Sequence, residues 1–269
     1  MPLFKRYKYD CVDGARFGRF KGGVNTTFII YRIGSTVIDT GPSNQWRYVK
    51  RFLDEKPVEQ VLLTHHHEDH SGNAGRISEY FNLKPLAPSL SQDKLRKGYK
   101  TPLLQKLIWG SPRKVETNPL PQSLTLSNEL HLTAHHTPGH AKDLHVFHVP
   151  ERGWLFSGDL YISKSLKYLR SDEDLSLLMS SIEKALKLDF DRLFCPHRGI
   201  LENGKAELQQ KLTNMQELCE KVHELHTNGA EVEEIVIRLL GPEDHMAKVT
   251  RYNFSKRNLF TEALKVKAA

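Results

Sequence analysis

His65-His66-His67-Glu68-Asp69-His70 sets four imidazoles and two carboxylates side by side in six positions. The run Val61-Leu62-Leu63-Thr64 before it is apolar and β-prone, and Ser71-Gly72-Asn73 after it reads as a turn or helix entry. The cluster therefore belongs at the end of a strand that leads into a helix, an edge where several side chains can be aimed at one point. In an extended chain alternate residues share a side, which groups His65, His67 and Asp69 and turns His66 and Glu68 away. Neutral imidazoles and ionised carboxylates are preferred ligands of zinc, iron and manganese. A histidine run can also be an expression tag or a solvated loop. A tag does not sit inside a chain between a strand and a helix, and the attached Asp-His speaks against an ordinary loop.

Around this cluster lies a chain of 269 residues, 39% hydrophobic, long enough for one large domain or two modest ones. The stretch Met1-Pro2-Leu3-Phe4-Lys5-Arg6-Tyr7-Lys8 lacks an apolar run of signal-peptide length, and no segment approaches the ~20 apolar residues of a membrane span. Cys11, Cys195 and Cys219 are far apart, which suggests neither a disulfide framework nor a cysteine zinc site. A cytoplasmic protein without membrane association is the expectation. The formal charge of +7 is concentrated between Pro88 and Lys114, where Lys94, Arg96, Lys97, Lys100, Lys106, Arg113 and Lys114 face a single acid, Asp93. Such a run is either a solvated helical face or a basic wall that concentrates an anionic ligand.

The first 40 residues read as strands, with Thr26–Tyr31 and Thr36–Asp39 joined at Gly34-Ser35 as a hairpin. Ser43 is placed to cap a helix running to about Leu53. Further expected elements are a strand at 60–64, a helix at 72–82 and a short strand at 84–87. Helical pieces at Leu90–Leu95 and Pro102–Trp109 follow, before Pro112, Pro119 and Pro121 break the pattern. Strands are expected at 129–136, 144–149, 153–157 and 192–195, and a helix runs to about Lys187 after the acidic start Ser171–Asp174. From about Glu202 the chain turns helical, with one long helix to 227 and a short one at Val232–Leu240.

Three more metal-capable side chains sit where a β run ends: His140 in Thr137-Pro138-Gly139-His140, Asp159 in Ser157-Gly158-Asp159, and His197 in Cys195-Pro196-His197-Arg198-Gly199. Each alone is weak, since a lone loop histidine is more often solvated and Gly-Asp is a common turn. Together, Asp39, then His65-x-His67-x-Asp69-His70, then His140, Asp159 and His197, the chain resembles the metallo-β-lactamase-fold hydrolase superfamily over roughly residues 20–200. The resemblance implies an α/β fold, a four-layer αββα sandwich of two mixed β-sheets flanked by helices, with metals at one edge and C-terminal helices added. It implies residues 1–200 as the metallo-β-lactamase-like domain, carrying the basic insert 88–122, and 201–269 as a helical extension. It also implies two divalent metal ions, zinc first, with iron or manganese as alternatives. His65, His67 and His140 would hold one, Asp69, His70 and His197 the other, and Asp159 both, while Asp39 would orient a ligand imidazole. His66 and Glu68 fall at the family's variable positions.

By the same resemblance the activity is hydrolysis of an ester-type bond (thioester, lactone or phosphodiester) by a hydroxide that bridges the metals, with Asp69 orienting it and passing a proton to the leaving atom. The basic insert, with Tyr99 and Trp109 as possible stacking surfaces, and Lys164, Lys167, Tyr168 and Arg170 favour an anionic substrate. Glu202-Asn203-Gly204-Lys205 before long helices resembles lactamase-like hydrolases with a helical tail, some of which cleave single-stranded RNA. A metal-dependent endoribonuclease is therefore an alternative, in which nucleic acid would bind through the insert. Asp143 agrees with that branch, whereas Leu144 stands where a histidine is expected and His145 is displaced by one. A metal-containing binding protein without catalysis is the other alternative. His131, His135, His136, His145 and His148 are assigned surface or strand-packing roles, with His136 near enough to His140 in sequence to meet substrate, and Cys195 is read as a buried strand residue.

Overall fold

The computed structural model describes residues 3–20, 23, 26–126 and 129–266; Met1 and Pro2, part of the amino-terminal stretch considered above, lie outside them. Strands β1 (Leu3–Tyr9), β2 (Val12–Gly18), β3 (Thr27–Ile33), β4 (Thr36–Ile38), β5 (Gln60–Leu62), β6 (Leu86–Ala87) and β7 (Asn118–Pro119) form one sheet in sequence order. Its first half is an antiparallel meander and its second half, from β4 to β7, is parallel. The parallel half follows from its connections. Helices α1 (Trp46–Leu53), α2 (Ala74–Phe81), α3 (Ser89–Lys97) and α4 (Leu103–Trp109) fill the crossovers.

The second sheet is built from β8 (Ser123–Thr125), β9 (His131–His136), β10 (His145–Val149), β11 (Trp154–Phe156), β13 (Arg192–Cys195) and β14 (Gly199–Leu201). Its order is β14-β13-β11-β10-β9-β8, antiparallel except for the parallel pair β11 and β13. Strand β12 (Leu169–Arg170) lies elsewhere, paired with β15 (Phe254–Ser255).

The period-2 geometry of β3 shows why two sheets and a helix layer pack as they do. All seven residues of Thr27–Ile33 are buried. Ile29, Tyr31 and Ile33 join Leu132, Phe147, Trp154, Phe156 and Phe194 in the core between the sheets. Phe28 and Ile30 point the other way, into a core shared with Val49, Phe52, Ile77, Leu95 and Trp109 of α1 to α4. Val61 and Leu63 split from Leu62 in the same manner. A strand with both faces covered is largely apolar, as this one is apart from Thr27 and the buried Arg32, whose guanidinium bonds the carbonyls of Gly34, Lys56 and Pro57.

The chain divides into two compact units. Both large sheets and α1 to α4 belong to the first, which comprises the described parts of 1–136, 143–162 and 189–204. The second contains 137–142, 163–188 and the described residues from 205 onward, so the expected helical extension is grouped with two earlier excursions. Its helices are α5 (Leu175–Leu186), α6 (Gly204–Thr227), α7 (Val232–Leu240), α8 (His245–Val249) and α9 (Lys256–Ala263). Leu208, Leu212, Met215, Cys219 and Val222 give α6 its buried stripe at helical spacing. Asp174, Asp244 and Ser255 cap α5, α8 and α9 through their side chains, and Glu231 with Glu234 forms a capping box on α7. Among the described residues no helix is long and apolar enough to cross a membrane.

Several expected boundaries shift. Strand β5 stops at Leu62 rather than continuing to 64, and the helix expected from 72 begins at Ala74. Ser43 makes no capping bond; it opens a 3-10 turn, and its hydroxyl donates to the Trp109 carbonyl at 3.3 Å.

Phe194 is fully buried between the sheets and packs against the rings of Tyr9, Tyr31, Trp154 and Phe156. Phe194→Ala is expected to lower unfolding stability by about 3–5 kcal/mol, measured by urea denaturation; a loss below about 1 kcal/mol would mean that this core tolerates a void.

Candidate metal centre

The cluster 65–70 lies between the end of β5 and the start of α2, as expected, but its backbone is not extended. Because β5 stops at Leu62, residues 63–73 form a loop of turns, held by His70 N→His67 O at 3.0 Å and Ser71 N→His67 O at 2.8 Å. This overturns the alternation expected for Asp69, which faces His70, its neighbour, rather than joining His65 and His67. The loop is drawn tightly against the segment after β4. Asn73 donates its side-chain amide to the carbonyls of Thr40, Gly41 and Pro42, and Thr40 N and Oγ1 both donate to His70 O at 2.7 Å. At Gly72 a Cβ would lie 2.4 Å from the Glu68 carbonyl oxygen and 2.5 Å from that of Gly41, so only glycine permits this approach.

Two donor groups result. Asp69, His70, Asp159 and His197 each offer a ligand atom within 4.8 Å of the others, and all four are buried. His65, His67 and Asp159 meet the same criterion, with His65 Nε2 only 2.9 Å from His67 Nδ1. Asp159 is common to both. It is presented by a 3-10 turn, Gly158–Leu160, just beyond β11, while His197 follows β13. His140 lies on the loop 137–142, counted with the second unit, where Asp174 N donates to Gly139 O at 2.9 Å and Ser181 Oγ to Pro138 O at 2.6 Å. Its Nδ1 is 2.5 Å from Glu173 Oε1.

The donors are oriented from behind. Asp39, with a left-handed backbone (φ 58°), accepts from Thr64 N at 2.8 Å and pairs with His70 Nδ1 at 2.8 Å. Thr64 Oγ1 bonds Asp39 and lies 3.1 Å from His65 Nδ1. His197 Nδ1 is 3.1 Å from the Thr27 carbonyl. These contacts leave His70 Nε2 toward Asp159 at 3.1 Å, and His197 Nε2 toward Asp159 at 3.2 Å and Asp69 at 3.6 Å. Phe28 sets its ring against both imidazoles.

Electrostatics tell the same story. Burial opposes charge on His70, but Asp159, Asp39 and Asp69 outweigh it and hold the pKa well above the usual histidine value. For His197 burial again opposes, and Asp159 and Asp69 raise the value. Buried carboxylates in this density call for positive charge, and a set of imidazoles and carboxylates suits divalent cations.

Within the basic insert Lys94, Lys100, Lys106 and Lys114 are exposed, while three other cations are paired with acids. Arg96 and Lys97 both bond Asp93, and Arg113 bonds Glu79. Trp109 is buried in the helix-facing core, and Tyr99 donates to the His66 carbonyl, so neither is an open stacking platform. In the second unit Lys164 pairs with Glu207, Tyr168 bonds Asp244 and Arg170 pairs with Asp172. His136 stacks on His145 at 5.0 Å between ring centres. Sequence reading misses Thr64, whose hydroxyl is disguised at the end of an apolar run. It also misses the pairing of His66 with Asp143 and of His140 with Glu173.

A profile of the Metallo-beta-lactamase superfamily matches residues 19–197, and the chain belongs to that superfamily. It is similar to the Beta-lactamase-like protein 2 homolog of Drosophila melanogaster, 28% identical over 207 residues, 72% of this chain and 66% of that protein. It is also similar to a protein of Aspergillus fumigatus named atrochrysone carboxyl ACP thioesterase, 25% identical over 199 residues, 72% of this chain and 56% of that one. The chain thus spans less than two thirds of these relatives' length. A solved metallo-beta-lactamase family protein from Thermus thermophilus shares the fold, with a TM-score of 0.62, 18% identity, and coverage of 98% of this chain and 90% of that one.

The neighbouring carboxylates favour the protonated forms of His70 and His197, so a cation that binds there competes with protons. Zinc titrated into metal-free protein at pH 7 is expected to release about one to two protons per chain, read with an indicator dye in weak buffer, and its affinity should fall as the pH is lowered. Zinc uptake with no proton release would contradict this electrostatic description.

Proposed function

We propose that this chain is a metal-dependent hydrolase with a dinuclear centre, acting on an ester-type bond, a thioester first, in a substrate that carries negative charge. The observation that supports it is the pair of donor groups sharing Asp159. On this reading His65, His67 and His140 would hold one ion, Asp69, His70 and His197 the other, and Asp159 would serve both. Zinc is the favoured metal for such imidazole-rich sites, with iron or manganese as alternatives. Two such ions supply an activated water near neutral pH and polarise the scissile carbonyl.

The chain's own residues then have distinct tasks. Asp39, the Thr27 carbonyl and Glu173 engage the Nδ1 atoms of His70, His197 and His140, which fixes each ring with Nε2 as its donor. Asp69, beside Asp159 and His197, is assigned to orient the attacking water and to hand a proton to the departing thiolate or alkoxide. The name of the fungal relative, a thioesterase, favours a thioester over a lactone.

Cleavage of nucleic acid is the weaker reading. Pairing of Arg96, Lys97 and Arg113 with acids and the burial of Trp109 withdraw much of its support. A binding protein without catalysis would be expected to have lost ligands, and every position of the motif is filled.

Metal-reconstituted protein offered thioester, lactone, phosphodiester and β-lactam substrates should turn over the thioester best, and chelation should abolish that activity. Asp159→Ala and His67→Ala should each lower kcat/KM about 1,000-fold or more with the circular dichroism spectrum unchanged; turnover retained in either metal-stripped variant would sink the mechanism. Asp39→Ala should weaken zinc binding by about 10- to 100-fold, measured by competition with a chromophoric chelator. An unchanged affinity would remove Asp39 from the centre.

A further inference from the structure

The basic run of the insert raises the question of which cation serves the site. Only one of its seven basic residues is tied to the histidine loop by a bond the structure records: Lys94 Nζ lies 3.0 Å from His66 Nε2. The contact is built from below. Asp143, almost wholly buried, accepts from His66 N at 2.9 Å and meets His66 Nδ1 at 2.9 Å. Ser91 adds its hydroxyl at 2.6 Å. Burial opposes charge on the Asp143 carboxyl, but His66, His65 and Ser91 overcome it and hold its pKa well below the usual range. An ammonium only donates, so the Lys94 contact makes His66 Nε2 the acceptor and leaves Nδ1 to carry the hydrogen that faces Asp143.

Ser91 and Lys94 sit one turn apart on α3, and both reach this Asp143–His66 pair. The helix is therefore fastened in the one rotation that brings Lys94 to the loop. Tyr99 and Ser71 fix the same histidine through its carbonyl oxygen. The His66 ring lies 4.8 Å from the ring of His67, a member of the first donor group. Lys94 itself is exposed, and no carboxylate pairs with it among the described residues. An ammonium has three hydrogens to donate, and His66 takes one.

We propose that Lys94, positioned by His66 and Asp143, binds the negative charge of the substrate: a carboxylate on the acyl portion of the thioester. This rests on the hydrolase reading of the centre and names the feature that its substrate would carry. Among the other basic residues, Arg96 and Lys97 share Asp93 and Arg113 is paired with Glu79. Lys94 meets the Nε2 atom of His66 rather than a carboxylate, so its charge remains available to a ligand.

The test uses the zinc-loaded chain and two thioesters of one thiol, with acyl chains of equal length ending in a carboxylate or in a methyl group. Lys94→Ala should raise KM for the carboxylate substrate about tenfold, with kcat within about twofold, and leave the methyl substrate unchanged. Lys94→Arg should restore most of the difference, and added salt should erode it. A second readout is independent of turnover: calorimetric binding of dicarboxylates from succinate to adipate against monocarboxylates of the same length. Wild type should prefer one of the dicarboxylates, and Lys94→Ala should lose that preference. If neither thioester is hydrolysed, the hydrolase reading fails while the titration still decides on Lys94. Equal losses for both thioesters, no loss for either, or dicarboxylates bound no more tightly than monocarboxylates would overturn the proposal.

Discussion

Buried carboxylates set the terms for this molecule. Asp39, Asp69 and Asp159 are each less than a tenth exposed, and they share their space with His65, His67, His70 and His197. Such a concentration of negative charge is costly unless something positive answers it. Much of the local architecture serves that requirement. Asp39 takes a left-handed backbone so that one carboxylate can accept from Thr64 and reach His70 together. The Asn73 amide bonds the three carbonyls of residues 40–42, which locks the loop that carries the donors. Strain and polar burial of this kind are kept where a site needs fixed geometry.

How far the sequence foretells this varies with the kind of information. The two buried faces of β3 can be read because every residue of Phe28–Ile33 except Arg32 is apolar or aromatic, as a strand between two layers requires. His65, His67, Asp159 and His197 can be read because their residue types and order are restrictive. The alternation assigned to Asp69 fails for a local reason: the backbone leaves the β conformation after Leu62, and a period of two has no meaning in a loop of turns. Strands β8, β12, β14 and β15 have two or three residues each; elements so short are created by their pairing partners, not by propensity.

The partners that orient the site are harder to see. Thr64 reads as the last residue of a strand, and its hydroxyl matters only once Asp39 is brought beside it. Asp143 and His66 are 77 positions apart, and nothing local announces that they meet. The insert shows the opposite error. Its charge is plain in the sequence, but the pairing of Arg96 and Lys97 with Asp93 and of Arg113 with Glu79 is a matter of side-chain geometry. Trp109 reads as available because it ends an irregular segment, and it is instead a core residue of α4.

The parallel pairing of β11 with β13 has a consequence of its own. Trp154 aligns with Arg192 and Phe156 with Phe194, so the two strands finish at the same rim and deliver Asp159 and His197 there from hydrogen-bonded neighbours. The chain that travels between them, including 163–188, begins and ends at anchored points. Its length and composition can therefore drift over generations without moving either side chain. A lineage can remodel that excursion while Asp159 and His197 stay in register, which is a physical route by which one scaffold tolerates large insertions.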